Sequence, residues 1–481
     1  MHKDLREWIS QAKEMNELAV IEGADPKYEI GTITELDSRN RGPAVLYQKI
    51  KGLEPGVSLI TNLVPNVRLF NLTFGLPLEN SIQQSVSTLG EKTAGWENAS
   101  ENFPPKVVDS APILENVVEG DDIDLTRFPA PTWHELDGGP YIGTAASVIT
   151  KDPDDGQINV GTYRGQLLNR RSVGSLIVPG RHGRFHRDKY FVRGEPCPMV
   201  MVFGSDPLLF CVSSSEIPRY ISEYNYVGAI NGEPVPVITG KTTGLPIPAN
   251  AEIAIEGFVD PKAREIEGPF GEWTGYYGSG SREEPFLTAS TLYHRNNPIL
   301  CGTTPAKGSY STHSFCLSIW RSALLYHELV KASIPGIKGV WFPQFSARFL
   351  QVVAIKQLYD GHATQVGHVA AQSRGAAYGG RYTIVVDDDI NPYDIEDVLW
   401  AVCTRSQPSD TDLIKKAMSL FGDPMIRKTS ENFTTSRAII YAVKPYSWRD
   451  EFPPVALSSE ESRKKAFEKW RNTFKGRWQA L

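Results

Sequence analysis

Apolar and polar residues alternate along this chain in rhythms that change from one stretch to the next. The opening "MHKDLREWISQAKEMNEL" places Leu5, Trp8, Ile9 and Ala12 on one stripe, which predicts an amphipathic helix. "AVLYQKI" (44–50) and "VSLITNLV" (57–64) read as strands, so the first 125 residues are expected to form a small α/β segment. "DDIDLTRFPAPTWHELDGGPY" is rich in Pro, Gly and Asp and reads as a boundary loop near 120–140. From about 141 to 300 strand patterns dominate ("YIGTAASVIT", "PMVMVFG", "PVPVITG", "EIAIEGFV", "FLTASTLYH"), separated by turn residues, as in a β-barrel or open β-domain. "SFCLSIWRSALLYHELVKAS" (314–333) carries leucines at helical spacing and stops before Ile-Pro-Gly, which predicts a linker helix. "YTIVVDDDI" (382–390) followed by a helix through "YDIEDVLWAVCTR" is typical of a second α/β domain. The tail sets Phe467, Trp470, Phe474 and Trp478 on one helical stripe. The expected fold is α+β: an N-terminal α/β region (1–125), a barrel-like domain (126–312), a linker helix (313–333), a C-terminal α/β domain (334–445) and a helical tail (446–481).

Within the strand-rich region, "EIEGPFGEWTGYY" (265–277) sets Glu267 and Glu272 around a Gly-Pro-Phe-Gly bridge. Proline fixes φ and glycine tolerates positive φ, so the chain turns sharply here. With "AEIAIEGFV" before it and an aromatic strand pattern in "WTGYY" after it, the stretch predicts a hairpin whose flanking pair is Glu267 and Glu272. Two like charges set face to face are either a solvated hairpin tip or a device that uses the repulsion.

Bulk properties narrow the picture. A chain of 481 residues is expected to hold two or three domains, and 41% hydrophobic with 22% charged residues is an ordinary globular composition. A net charge of −6 offers no basic face for broad nucleic-acid binding. Five cysteines are scattered without a Cys-x-x-Cys pair, so neither a zinc site nor a disulfide framework is indicated. No apolar run approaches the roughly 18 residues of a membrane span. The expected location is the cytoplasm, with no nucleic-acid or membrane partner.

A second chemical cluster lies in "INVGTYRGQLLNRRSVGSLIVPGRHGRFHRDKY" (158–190) and the following "SEYNYVGAING". Asn159, His182 and Glu223 lack the spacing of a zinc motif, and each alone is an ordinary residue. As a set, an amide oxygen, an imidazole and a carboxylate suit manganese or magnesium. Arg164, Arg181 and Arg184 nearby are suited to a phosphate, which together describes a metal-bridged phosphate site.

"NVGTYR", "GRH", "EPCPMVMVFGSDP", "SEYNYVGAINGEPVP" and "EIAIEGFVDPKAREIEGPFGEWTGYY" occur in the order found in the UbiD family of decarboxylases, which use prenylated FMN. The resemblance is dense from about 141 to 280 and continues through "VVDDDINPYDIEDVLWAVCTR" (385–405). It implies a split β-barrel that binds the flavin. It implies manganese (or magnesium) on Asn159, His182 and Glu223, and potassium near Val160, Val212, Ser213 and Ser215. It places Thr162, Tyr163, Arg164, Leu176, Ile177, Val178, Arg181 and His182 at the cofactor. The catalytic set it implies is Arg164, Glu267 and Glu272, with Glu272 pressed against an ionised Glu267, raised in pKa and delivering a proton to the carbon that lost CO2. Arg381 is the candidate for the phosphate-contacting lysine of some relatives. His313 is a candidate either for substrate contact or for a helix cap, and Asp387 to Asp389 are expected to make turn and cap contacts rather than bind metal. The implied reaction is reversible decarboxylation of an aromatic, heteroaromatic or α,β-unsaturated carboxylic acid. The implied partners are that acid, CO2, a flavin prenyltransferase that supplies cofactor, and further copies of the chain as a homodimer or homohexamer. Two alternatives of other kinds are a non-catalytic flavin-binding or assembly subunit, and a hydrolase using the paired carboxylates.

Overall fold

The computed structural model describes residues 2–308, 312–376, 379–426 and 433–473. The N-terminal helix Leu5–Glu14 forms as its apolar stripe requires: Asp4 caps it, and Leu5, Trp8 and Ala12 are buried. It lies on a sheet ordered Leu18–Glu22, Ala44–Gln48, Ser58–Thr61, Ile299–Cys301.

The central region holds a nine-stranded sheet whose eight-strand path runs from Tyr141–Gly143 to Ile158–Gly161, every pair antiparallel, curled into a half-barrel. Of its middle strands, Cys197–Val202 and Ile253–Val259 are almost wholly buried, and Phe286–His294 alternates between buried and more accessible positions. "EIAIEGFV" is therefore covered on both faces along most of its length, with only Phe258 exposed, and is not half-exposed. The polar residue its alternation put outward, Glu256, lies buried, held by the Thr242 and Thr243 amides at 2.8 Å and the Tyr293 hydroxyl. The register shifts between Glu256 and Gly257, and a Cβ on Gly257 would stand 1.9 Å from the Thr288 carbonyl oxygen, so the bulge admits only glycine. "YIGTAASVIT" is broken into two strands, Tyr141–Gly143 and Ser147–Lys151.

The linker helix Thr312–Lys331 is a core element. Phe315, Ile319, Trp320, Ala323 and Leu325 are buried, and Trp320 meets Phe74 and Tyr226 at ring distances of 5.4 and 5.9 Å. Burying such side chains contributes about 1.5–3 kcal/mol each, which ties this helix to both the N-terminal and central parts. Beyond it, five strands are ordered Ile337–Trp341, Leu350–Ile355, Tyr382–Asp387, Thr434–Ala442, Asp412–Met418. Helices His362–Gln372 and Ile395–Arg405 lie over this sheet, and two separate apolar cores form.

Two strands cross the divisions expected from the pattern. Asn116–Glu119 pairs with Phe286–His294 of the central sheet, and Ile299–Cys301 completes the N-terminal sheet beside Ser58–Thr61. Backbone pairing over such sequence separations leaves no mark in local periodicity. In the tail helix Glu460–Trp470 no residue is buried, and Trp470 is 47% exposed; Phe474 and Trp478 lie outside the described residues. Among the described residues no helix is long and apolar enough to cross a membrane.

Candidate active site

Arg164 sits between the strands Ile158–Gly161 and Gly165–Leu167, directly after Tyr163, whose ring turns into the core. Two glycines make room for that ring. A Cβ on Gly161 would lie 2.5 Å from the Tyr163 hydroxyl, and one on Gly183 would lie 2.8 Å from the ring. The Gly183 amide donates to the Tyr163 hydroxyl at 3.2 Å, fastening the first turn of the helix His182–Val192 to the Arg164 segment.

The glutamates do not flank a four-residue hairpin. Glu267 ends the strand Glu265–Glu267, where its partner is Arg282, and residues 268–281 form one long loop in which "WTGYY" is a turn. Gly268 starts that loop at φ +83°, and Gly138 lies so close that its Cβ would stand 2.0 Å from the Gly268 carbonyl oxygen. The loop brings Glu272 back onto the same guanidinium as Glu267. Arg164 Nε and Nη2 each donate to Glu267 at 2.7 Å, while Nη1 donates to Glu272 at 2.8 Å. A cation between the two carboxylates is what allows them to sit together. Burial works against the charged guanidinium, but the bonds to Glu267 and the charge of Glu272 outweigh it and raise the Arg164 pKa. The two glutamates differ in access: the Glu267 side chain is 1% exposed, and that of Glu272 is 16% exposed and lies on the wall of a cavity of about 760 Å³.

That cavity gathers most of the residues the sequence singles out. Asn159, His182 and Glu223 share its wall with Thr162, Tyr163, Arg164, Leu176, Val178 and Arg181. Ile177 does not line it; its side chain is fully buried behind the wall. Burial pushes the Glu223 carboxyl up to about 7, with the Val160 amide donating to its Oε2 at 2.7 Å. Burial, and then the charges of Arg219, Arg181 and Arg374, lower the His182 pKa and favour the neutral imidazole. The buried Asn159 Nδ2 has no hydrogen-bond partner among the described residues. The Asn159 amide oxygen, a neutral His182 imidazole and the buried Glu223 carboxylate are ligand types that a hard or borderline divalent cation takes, whereas the unpartnered Nδ2 is a hydrogen-bond donor and plays no part in that fit. The residues present therefore fit manganese or magnesium. Ser213 and Ser215 also line the cavity; the Ser215 hydroxyl donates to the Cys211 carbonyl at 2.6 Å, which leaves oxygen lone pairs for a monovalent ion, whereas the Ser213 hydroxyl donates to the Phe210 carbonyl at 2.9 Å and also lies 3.0 and 3.4 Å from the hydroxyls of Thr162 and Ser147. Val160 and Val212 are buried and can offer only backbone oxygens there.

Three family models cover the chain in order: the 3-octaprenyl-4-hydroxybenzoate carboxy-lyase N-terminal domain over residues 9–89, the Rift-related domain over 106–308 and the C-terminal domain over 314–442. The chain belongs to the UbiD family. It is 30% identical to the pyrrole-2-carboxylic acid decarboxylase of Pseudomonas aeruginosa over 84% of this chain and 83% of that protein. Among solved structures it resembles the UbiD-class enzyme HmfF of Pelotomaculum thermopropionicum in complex with FMN, with a TM-score of 0.83, 29% identity, and 95% and 98% of the two chains covered. An evolved dimeric form of HmfF in complex with prFMN aligns with a TM-score of 0.80 at 28% identity, covering 96% and 98%. The closed form of vanillic acid decarboxylase from Sedimentibacter hydroxybenzoicus aligns with a TM-score of 0.83 at 28% identity, covering 99% of both chains. This UbiD-family chain is a carboxy-lyase.

Several residues that shape this carboxy-lyase's site have no motif to announce them. The Tyr141 hydroxyl donates to Glu267 Oε1 at 3.1 Å, the Ser279 hydroxyl accepts from Arg164 at 3.2 and 3.3 Å, and Gln166 Oε1 accepts the Gly268 amide at 2.9 Å. Asp137, raised in pKa by burial, accepts the amides of His134 and Gly271 and the Tyr277 hydroxyl, holding the glutamate loop from behind. The crowded "DGGPY" of the expected boundary loop was the available signal. Arg381 is not on the cavity wall; it pairs with the buried Asp423 and stacks 4.4 Å over Phe349. Of the acidic run, Asp387 and Asp389 pair with Arg405, and Lys444 also binds both, the Asp387 carboxylate through its amide and Asp389 through its ammonium. The expected local turn and cap contacts are thus joined by long-range ion pairs. The His313 side chain lies outside the described residues.

Proposed function

We propose that this carboxy-lyase reversibly and non-oxidatively decarboxylates an aromatic, heteroaromatic or α,β-unsaturated carboxylic acid with prenylated FMN as covalent electron sink. The observation that carries the reading is Arg164 gripping both Glu267 and Glu272 at one wall of a cavity whose other residues suit a cation and a phosphate. Relatives in complex with FMN and prFMN, and others named as decarboxylases of pyrrole-2-carboxylic and vanillic acid, support it. Asn159, His182 and Glu223 would hold manganese, or magnesium, which would neutralise the charge of the flavin phosphate, and Ser213 and Ser215 would take potassium. Bound there, the modified flavin accepts the electron pair that an sp² carbon cannot hold once CO2 departs.

The chain's own residues do the rest. Glu267, already taking two Arg164 donors and the Tyr141 hydroxyl, stays an anion and fixes the guanidinium. Glu272 takes a single donor, Nη1, so an arriving substrate carboxylate displaces it at little expense and is itself oriented by Arg164. The released Glu272, facing the cavity, takes up a proton from solvent and delivers it to the carbon that carried CO2; in the reverse direction it removes that proton and returns it to solvent. General acid catalysis of this kind contributes about 10²–10⁴ in rate.

Glu272→Gln tests the assignment. Produced together with a flavin prenyltransferase, the variant is expected to keep its cofactor and lose turnover by about 10²–10⁴. In deuterated buffer the wild type labels the product at the carbon that lost CO2, and the variant neither forms product nor exchanges that hydrogen. Turnover within about tenfold of wild type would place the acid elsewhere and leave the glutamates as supports for Arg164. Complete absence of turnover by a fully loaded wild type would favour an assembly subunit instead.

A further inference from the structure

Arg348 is the most uneven feature of the cavity wall. It follows Ala347 in a pair of residues at positive φ (50° and 63°), a conformation that costs free energy. The residue is 7% exposed, and its Nη2 is buried without a hydrogen-bond partner among the described residues. Its guanidinium lies 4.6 Å from the centre of the Trp273 ring, and Trp273 directly follows Glu272. The surrounding charges make matters worse for it. Arg321 and Arg181 face it, and the one carboxylate that offsets them, Glu216, is engaged by Arg321 at 2.9 Å and Arg181 at 3.7 Å. Arg374 donates to the Glu216 backbone carbonyl, and among the described residues no acid is left over for Arg348. Guanidinium does not deprotonate in proteins, so this charge remains and needs an anion.

Two anions reach such a cavity: the cofactor phosphate, or a second acidic group on the substrate. The stacking on Trp273, next in sequence to the proposed acid, puts Arg348 at the reacting end. We infer that Arg348 receives a second carboxylate of the substrate, so that the preferred acid is an aromatic or heteroaromatic dicarboxylate. This rests on the decarboxylase reading above. Arg164 orients the carboxylate that leaves, and Arg348 the one that stays, through a fork that matches carboxylate geometry.

Matched pairs, pyrrole-2-carboxylate against pyrrole-2,5-dicarboxylate and benzoate against terephthalate, test this on the loaded holoenzyme. Equilibrium binding reads Arg348 whether or not turnover follows, and CO2 release reads the lyase reaction separately. Wild type is expected to bind the diacid at least about tenfold more tightly. Arg348→Met is expected to erase that ratio with flavin content unchanged, and Arg348→Lys to restore part of it. A wild type that binds both members of each pair equally overturns the inference without touching the decarboxylase reading. Arg348→Met that loses flavin yet keeps the diacid preference also overturns it and assigns Arg348 to the phosphate. Diacid preference in binding without CO2 release from any acid supports Arg348 and overturns the decarboxylation proposed above.

Discussion

Glu223 offers a test of the cation site that needs neither cofactor nor substrate. Its carboxyl is wholly buried, and burial lifts it from the ordinary 4.5 to about 7. Because the folded value is the higher one, the associated stability is fully present below about pH 4.5 and is lost as pH rises toward about 7, where the folded state must carry a buried charge. A displacement of this size corresponds to about 3 kcal/mol at pH 8 in chelated protein. His182 works in the opposite sense: its lowered value contributes stability above the unfolded value near 6.5 that is lost as pH falls. Comparing wild type with Glu223→Gln removes this background, since His182 titrates in both. Glutamine keeps the shape and can still accept the Val160 amide, but has no charge to bury. In urea titrations with chelator, the variant is expected to match wild type near pH 5 and to exceed it by up to about 3 kcal/mol near pH 8. Manganese at about a hundredfold over its Kd adds roughly 2.7 kcal/mol to wild type and far less to the variant, reversing the order. A difference that is flat between pH 5 and 8, or manganese stabilising both proteins equally, would refute the reasoning.

Other outcomes follow from the same geometry. His182→Ala is expected to fold but purify with little flavin and little manganese, read by absorbance and metal analysis; full occupancy would remove the site assignment. Tyr141→Phe deletes one hydrogen bond to the buried Glu267, worth about 1.5–3 kcal/mol for a charged acceptor, and is expected to lower kcat while flavin content holds. Arg164→Ala leaves Glu267 buried and uncompensated, with an expected loss of about 3–5 kcal/mol in stability alongside lost turnover, measured by denaturation and CO2 release. The uncovered tail helix predicts at least a dimer; light scattering showing a monomer at micromolar concentration would contradict it.

Much of the site was legible because its residues carry their chemistry in their type and spacing. Asn159, Arg164, His182 and Glu223 were picked out as a set and meet in one cavity, and the pair Glu267 and Glu272 was singled out for sharing a sharp turn. Local sequence alone accounts for that pairing by a hairpin with facing charges. The structure supplies a different account, a guanidinium more than a hundred residues away in sequence that binds both. The raised pKa of Glu223 and the unpartnered amide nitrogen of Asn159 likewise depend on burial, which no window of sequence measures.

By itself the chain determined element types wherever periodicity was strong: the amphipathic first helix, the strand-rich middle, the linker helix and the second α/β unit all formed as patterned. Those are decided by backbone geometry acting over a few residues, so a few residues suffice to read them. Tertiary structure alone decided which strand completes which sheet, as with Asn116–Glu119 and Ile299–Cys301. It also decided which ordinary residues matter, since Asp137, Tyr141 and Arg348 become consequential only through what surrounds them. Pairing and desolvation are properties of neighbours in space, and those neighbours are brought together only by the folded chain.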